Sequence, residues 1–328
     1  MHIRFIVPPA GTERNGNIVT SERWKSFMEE LGHRVIIEHD HCRERCDLLV
    51  AFHAVRTRSA VIAARKKSLA KWIVICFTGT DLYRDLKADP GASDVLGLAD
   101  RLVALQPAAL EEVPSDFRKK TMVIYQSALR PVSDASPEPG SFDICVIANL
   151  RDVKDPLRAA KAARLLPPDS KIRVVLAGGA MDEESALAAE AEARENPRFI
   201  WHGELSKEKT GELLLRSRAL VLSSLMEGGA NVVSEAIVSD VPVIVTDIAC
   251  MQGLLGERYP GFFPVMDTER LAALMLRAET DHQYYRSLLE SCRDAAYKFS
   301  PDLERERIRE LLASVTLYYD ATGRRQST

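Results

Sequence analysis

The feature that most constrains the fold is an alternation of short apolar segments with helical ones, which runs from His2 to Tyr125 and restarts at Asp143. Such alternation predicts parallel strands joined by crossover helices. The predicted strands are His2–Val7, Arg34–Glu38, Asp47–Phe52, Trp72–Phe77, Arg101–Leu105 and Met122–Tyr125, and then Asp143–Ala148, Lys171–Ala177, Arg198–Trp201, Ala219–Ser223 and Pro242–Thr246. Between the first two strands, apolar residues share one face of a helix that stops at Gly32: Trp24, Phe27, Met28 and Leu31.

A change of composition separates the two halves. The stretch Ala128–Ser141 is rich in proline and serine and lacks a periodic pattern, which is typical of an exposed linker. The chain of 328 residues also exceeds the size at which one core stops growing, roughly 250 to 300 residues. We therefore predict two Rossmann-like, doubly wound α/β domains, residues 1–132 and 138–300, facing one another across a cleft. A C-terminal helix within 301–328 is expected to pack back on the first domain.

Charge and hydropathy narrow the range of partners. The 44 basic and 47 acidic residues give a formal charge of -3, which offers no broad cationic surface for nucleic acid. No apolar run reaches the roughly 20 residues of a membrane span, and Pro8 and Pro9 interrupt the first apolar run too early for a signal peptide. We expect a cytoplasmic protein without nucleic-acid or membrane partners, and the sequence does not indicate its oligomeric state.

The cysteines are expected to be reduced. Three of the six, Cys76, Cys145 and Cys250, lie in or beside apolar segments, as core thiols do. The cluster from His39 to Cys46 offers imidazole and thiolate groups of the kind that bind zinc. It lacks a second ligand pair at a recognisable spacing, so we predict a surface turn and no metal.

The most informative segment is Ser223–Val238, which follows an apolar strand and opens an apolar helix. Gly228 and Gly229 allow the backbone to approach a ligand, and the first N–H groups of a helix bind anions such as a diphosphate. Glu235 lies one turn after Asn231, so its carboxylate can point back to the helix start and match a ribose diol. A tight strand-to-helix turn without a ligand is the structural alternative.

Two cations follow the first strand of the second half. Arg151 and Lys154 precede a helix, where they can neutralise the charge that accumulates on departing phosphate oxygens. A solvated loop is the alternative for both. Two further strand ends contain Gly178 and Gly203, which we consider as contacts to the base and the sugar, with plain turns as the alternative.

Polar residues also follow strands in the first half. Carboxyl ends of strands are where doubly wound folds bind ligands, and the candidates there are His53, Arg56, Thr80, Asp81 and Arg84. The alternative for His53 is a buried, satisfied histidine, and for Thr80 a helix cap that leads into Asp81. The polar loop from Pro8 to Thr20 adds Gly16 and Asn17 as cleft candidates.

The two glutamates of the second half belong to a motif that resembles that of a known enzyme family. Glu227 and Glu235 form an E-x7-E pattern, with Gly-Gly-Ala-Asn between them and the strand Pro242–Thr246 after them. This arrangement resembles the donor half of the retaining family 4 glycosyltransferases of GT-B fold, over about residues 143–300. The resemblance implies that Glu235 holds the ribose hydroxyls and that Glu227 lies by the donor sugar. It assigns the diphosphate to the amides of Gly228, Gly229, Ala230 and Asn231, and similar enzymes place an arginine and a lysine where Arg151 and Lys154 stand.

Longer motifs extend the resemblance to nearly the whole chain. Gly-Asn-x-Val-Thr-x-x-Arg-Trp, Thr-Gly-Thr-Asp-Leu-Tyr-Arg-Asp, Val-Ile-Tyr-Gln-Ser-Ala and Leu-Arg-Asp-Val-Lys-Asp-Pro are similar to those of the selenosugar synthases of selenoneine biosynthesis. This resemblance implies a UDP-sugar donor, expected to be UDP-N-acetylglucosamine, and selenophosphate as acceptor. The catalytic residues would be Lys154, Arg151 and Glu227. No metal or other cofactor is expected, because the donor half shows no Asp-x-Asp pair to chelate magnesium.

Three other functions stay open at this point. An ordinary family 4 glycosyltransferase with an alcohol or lipid acceptor would need a base, for which His53 is the obvious candidate in the first half. A non-catalytic nucleotide-sugar-binding protein would keep the ribose contact and tolerate loss of Glu227. An epimerase would turn over the donor alone.

Overall fold

The computed structural model of the protein describes residues 1–8, 16–89, 91 and 93–316. It divides into two compact units, one of which combines Met1–Gln126 with the segment from Pro301, while the other is Ser127–Ser300. The predicted linker Ala128–Ser141 therefore belongs to the second unit, and the C-terminal helix to the first.

Within the described residues, the first unit contains a six-stranded parallel sheet in the order β2-β1-β3-β4-β5-β6. Its strands are β1 (His2–Ile6), β2 (Arg34–Glu38), β3 (Cys46–Phe52), β4 (Ala70–Cys76), β5 (Arg101–Ala104) and β6 (Thr121–Val123). Its helices are α1 (Gly16–Glu30), α2 (Arg58–Lys66), α3 (Leu86–Ala88), α4 (Ser93–Leu98), α5 (Ala109–Glu112), α6 (Ser115–Arg118) and α14 (Pro301–Thr316), with a π-helical turn over Asp81–Asp85.

Helix α1 packs as its periodicity predicts. Trp24, Phe27 and Met28 are buried, and Gly32 follows with a φ of +84°, a conformation that favours glycine. The indole of Trp24 donates to Glu304 of α14 at 2.8 Å, and the Arg23 guanidinium donates to the other oxygen of that carboxylate, also at 2.8 Å. Because a buried carboxylate is costly unless it is paired, these two contacts fix α14 against α1.

The second unit, in the described part of the chain, has a six-stranded parallel sheet in the order β12-β11-β10-β7-β8-β9. Its strands are β7 (Phe142–Ile147), β8 (Ile172–Ala177), β9 (Phe199–Trp201), β10 (Ala219–Leu222), β11 (Val243–Thr246) and β12 (Phe262–Phe263). Its helices are α7 (Arg158–Ala163), α8 (Glu183–Glu195), α9 (Lys207–Arg216), α10 (Asn231–Val238), α11 (Ala249–Leu255), α12 (Thr268–Thr280) and α13 (His282–Ala295), with 3₁₀ turns over Asp152–Lys154 and Ala296–Phe299. The sequence analysis did not predict β12.

Strand order determines where each unit can bind a ligand. In the second unit β7 and β10 are neighbours, and the chain winds outward from them in both directions, which makes this pair the topological switch point. In the first unit the corresponding pair is β1 and β3. The loops that follow such strands diverge and leave a crevice at the carboxyl edge of the sheet.

Candidate functional site

In the second unit, the loops after β7 and β10 meet at the switch point. The backbone N–H of Leu225 donates to the carbonyl of Val153 at 2.9 Å, and the hydroxyl of Ser223 donates to the carbonyl of Asp155 at 2.7 Å. Asp155 itself has a φ of +43°, a left-handed turn that ends the 3₁₀ segment. These contacts fix the main chain around Lys154 against the end of β10.

Lys154 and Glu227 form an ion pair at this point. The Lys154 Nζ lies 2.6 Å from Glu227 Oε1, and the hydroxyl of Ser224 donates to the same oxygen at 2.6 Å. The Ser224 carbonyl accepts from the hydroxyl of Thr246 at the end of β11, also at 2.6 Å. The Glu227 side chain is 8% exposed and that of Lys154 is 30% exposed. The carboxylate is therefore held rigidly, while the ammonium keeps access to a ligand.

Helix α10 begins directly after this pair. Its cap residue, Ala230, has a φ of +46° and provides no capping side chain, so its own side chain does not compete with an anion for the N–H groups at the helix start. The thiol of Cys250 donates to the carbonyl of Gly228 at 3.3 Å and fixes the turn that leads in. Glu235 follows Asn231 by one turn of α10, as predicted, and Arg151 is exposed before the 3₁₀ segment.

Gly178 and Gly203 lie at neighbouring strand ends. The N–H of Gly178 donates to the carbonyl of Gly203 at 2.8 Å, and the indole of Trp201 donates to the carbonyl of Gly178 at 2.9 Å. A Cβ on Gly178 would lie 1.9 Å from the Ala148 carbonyl oxygen, and Gly203 has a φ of +68°. Close packing thus explains Gly178, and the positive φ explains Gly203. Their predicted contact with the donor stays a prediction.

In the first unit, Asp81 joins the ends of β3 and β4. It is fully buried, its Oδ2 accepts from the N–H of Ala54, and its Oδ1 accepts from the N–H groups of Thr78 and Gly79, each at 2.9 Å. Since both oxygens are engaged by the backbone, the geometry assigns Asp81 to holding these two loops. Its predicted contact with the acceptor stays a prediction.

His53 occupies the centre of the same cluster. It is 1% exposed with a φ of +86°, and its Nδ1 accepts from the N–H of Arg56 at 3.1 Å. That bond places the proton of the neutral ring on Nε2, which lies 3.2 Å from the hydroxyl of Thr80 and 3.4 Å from Asp85 Oδ2. Neither ring nitrogen then has a lone pair for an acceptor proton, so this arrangement does not suit a general base.

Titration of His53 gives a testable pH dependence. Burial lowers the pKa of its ring, opposed by the nearby carboxylates of Asp81 and Asp85. The unfolded chain therefore takes up a proton that the folded protein excludes, and stability falls as pH drops below about 6.5. We expect His53→Asn, which tolerates positive φ, to weaken the dependence of the unfolding free energy on pH below about 6.5, as measured in urea titrations. His202→Asn, at an exposed position, is the control, and parallel curves for His53→Asn and the wild type would contradict the expectation.

The two predicted arginines of this cluster differ in their surroundings. Arg56 is exposed in the loop that follows β3, whereas the Arg84 guanidinium is paired with Asp85 at 2.7 Å. Thr80 precedes the π-helical turn without capping it through its side chain. In the predicted polar loop, Gly16 and Asn17 open α1, and residues 9–15 lie outside the described residues.

The sequence analysis assigned no role to several buried polar residues that follow strands. Gln106 follows β5 and donates to the Tyr83 hydroxyl at 2.7 Å, and Gln126 follows β6 and donates to the Thr20 hydroxyl at 2.5 Å. Both glutamines are buried, as are Ser223 and Ser224 after β10. The available signal was the position itself, a polar residue within three positions of the end of an apolar strand.

The cysteine cluster forms a loop between β2 and β3. Cys42 donates to the carbonyl of Glu44 at 3.1 Å, and a hydrogen bond between the thiols of Cys42 and Cys46 lowers the pKa of Cys42. In the described ranges, no three His, Cys, Asp or Glu side chains group together as metal ligands. The six cysteines are free thiols. None of the described helices has the length and apolar character to cross a membrane.

Comparison with known proteins identifies the family. The sequence profile of the family described as glycosyl transferases group 1 matches residues 133–299, which is half of the chain. The chain belongs to this family. The protein is accordingly a glycosyltransferase, as predicted, and its second unit carries the family's sequence signature. Comparison with curated proteins gives no significant sequence match.

Solved structures of similar fold cover nearly the whole glycosyltransferase. Sucrose-phosphate synthase from Thermosynechococcus elongatus has a TM-score of 0.78 at 14% identity, over 96% of this chain and 99% of that one. HepE of Anabaena in complex with UDP and glucose has a TM-score of 0.75 at 14% identity, over 96% and 100%. A glycosyltransferase from Rickettsia africae ESF-5 has a TM-score of 0.75 at 13% identity, over 96% and 98%. The predicted GT-B fold is confirmed.

Proposed function

We propose that this glycosyltransferase transfers a sugar from a UDP-sugar, expected to be UDP-N-acetylglucosamine, to the selenium of selenophosphate. The proposal of a nucleotide-sugar donor rests on the Lys154–Glu227 ion pair beside the start of α10, at the switch point of the second unit. The complex of the Anabaena protein with UDP and glucose supports a UDP-sugar. Selenophosphate is supported by the sequence resemblance.

The proposed donor site uses backbone dipoles and fixed cations. The amides of Gly228–Asn231 would bind the diphosphate at the helix start, and Lys154 and Arg151 would neutralise the charge that grows on it as it leaves. Glu235 would bind the ribose hydroxyls. Because these groups supply positive potential by themselves, we propose that the reaction needs no metal.

The proposed reaction has two steps. A selenium lone pair attacks the anomeric carbon, the bond from that carbon to the diphosphate oxygen breaks, and UDP leaves with both electrons. Water then attacks phosphorus, the phosphorus–selenium bond breaks, and phosphate leaves while selenium stays on the sugar. Selenium attacks as an anion, so no base has to deprotonate it. This agrees with the two engaged ring nitrogens of His53.

The proposed acceptor site lies in the first unit. Arg56 is the stronger candidate for the incoming anion, because Arg84 already pairs with Asp85. Thr80 and His53 would add hydrogen-bond donors from the neighbouring strand ends. An alcohol acceptor would need a base, and His53 does not present a lone pair for that task.

The test measures UDP release from UDP-N-acetylglucosamine with and without selenophosphate, in EDTA. We expect release that depends on selenophosphate, persists in EDTA and yields a sugar with covalently bound selenium by mass spectrometry. Arg56→Ala should reduce it sharply, whereas Arg34→Ala, exposed at the opposite end of the strands, should not. Equal release with simple alcohols would refute the selenium acceptor. Loss of all release in EDTA would refute the metal-free mechanism, and release without any acceptor would indicate epimerisation or hydrolysis.

A further inference from the structure

Lys154 and Glu227 each engage the charge of the other before any ligand arrives. Their atoms lie 2.6 Å apart, and the carboxylate is largely removed from water. A diphosphate at Lys154 would bring negative charge close to that carboxylate, and like charges at such short distances repel strongly. Lys154 can therefore serve the phosphate fully only by turning away from Glu227.

The two partners differ in mobility. Glu227 is held by the buried hydroxyl of Ser224, whose carbonyl is in turn tied to Thr246. Lys154 carries its ammonium on a flexible four-carbon stem and is 30% exposed. Opening of the pair would move the lysine and leave the carboxylate in place, without its cation.

We propose that this pair is an electrostatic lock through which Glu227 distinguishes the UDP-sugar donor from the UDP product. The proposal rests on the proposed function. When UDP binds, Glu227 loses Lys154 and gains no partner, so the affinity for UDP is lowered. When the UDP-sugar binds, sugar hydroxyls beside the diphosphate donate to Glu227 in place of Lys154, and the affinity is retained. The lock favours binding of the donor and release of the product.

Calorimetry on Glu227→Gln tests the lock, because the substitution removes the charge and keeps the shape. We expect the variant to bind UDP about tenfold more tightly than the wild type. Its preference for UDP-N-acetylglucosamine over UDP should fall by about tenfold. In a Lys154→Gln background, Glu227→Gln should increase the affinity for UDP by less than about threefold, since no ion pair is left to open. Glu208→Gln, exposed on α9, is the matched control and should leave both affinities unchanged.

The outcomes distinguish failure of the lock from failure of the proposed function. Unchanged or weaker UDP binding by a folded Glu227→Gln protein would overturn the lock, provided that the wild type binds UDP. An equal increase in UDP affinity with and without Lys154 would also overturn the lock, because repulsion between Glu227 and the diphosphate would then explain the effect. Absence of UDP binding by the wild type would refute the proposed function itself.

Discussion

Replacing Lys154 with alanine is expected to lower kcat for sugar transfer by about 10²- to 10³-fold, the usual effect of removing one group that stabilises developing charge. The affinity for the UDP-sugar should change much less. In the resting protein the ammonium is already engaged by Glu227 at 2.6 Å, so its net contribution to donor binding is reduced. Its charge counts most when the departing diphosphate carries its full negative charge. Steady-state kinetics and calorimetry on the same preparation measure the two effects separately.

Two variants distinguish this effect from a loss of folding. Lys161→Ala removes an exposed lysine on α7 of the same unit and should keep wild-type kcat. Lys154→Ala leaves the buried Glu227 carboxylate without its cation, which is destabilising by itself. The double variant Lys154→Ala/Glu227→Gln removes that unpaired charge. Recovery of turnover in the double variant, or near-normal turnover in Lys154→Ala, would contradict a catalytic role for Lys154.

The order of strands and helices could be predicted because parallel strands buried on both faces are nearly continuous apolar runs. The predicted ends of β1, β3 and β4 lie within two residues of the observed ends. Strand β12 escaped prediction because two residues, Phe262 and Phe263, are too few to form a pattern. It forms only because β11 provides an edge with which to pair.

The candidate site could be predicted by residue type and position, but not by contact. Lys154 and Glu227 are 73 residues apart, and they meet because β7 and β10 become neighbours, which local periodicity does not encode. Asp81 was a candidate acceptor contact because it follows a strand at the carboxyl edge of the sheet. Its three backbone partners come from two different loops, and that arrangement appears only in the folded chain.

Gly178→Ala is the second substitution for which we expect a large effect, in this case on stability. The added Cβ would lie 1.9 Å from the oxygen and 2.4 Å from the carbon of the Ala148 carbonyl, so backbone rather than a flexible side chain would have to move. Such a clash should cost about 3 kcal/mol or more. For a unit of this size we expect a fall in Tm of about 10 °C by calorimetry. Gly97→Ala, in α4 with nothing within 4 Å of its added Cβ, should leave Tm unchanged or raise it slightly.

The same substitution separates the two explanations for Gly178. If the glycine is required because β7 and β8 approach closely, the melting transition moves, and UDP affinity falls because the loop from Asn149 to Lys154 shifts with Ala148. If it is required only because the backbone approaches the donor, UDP affinity falls while Tm stays at the wild-type value. The hydrogen bonds from Gly178 to Gly203 and from Trp201 to Gly178 lie on the side of β9, away from the clash. We therefore expect the first result, and an unchanged Tm would contradict the packing explanation.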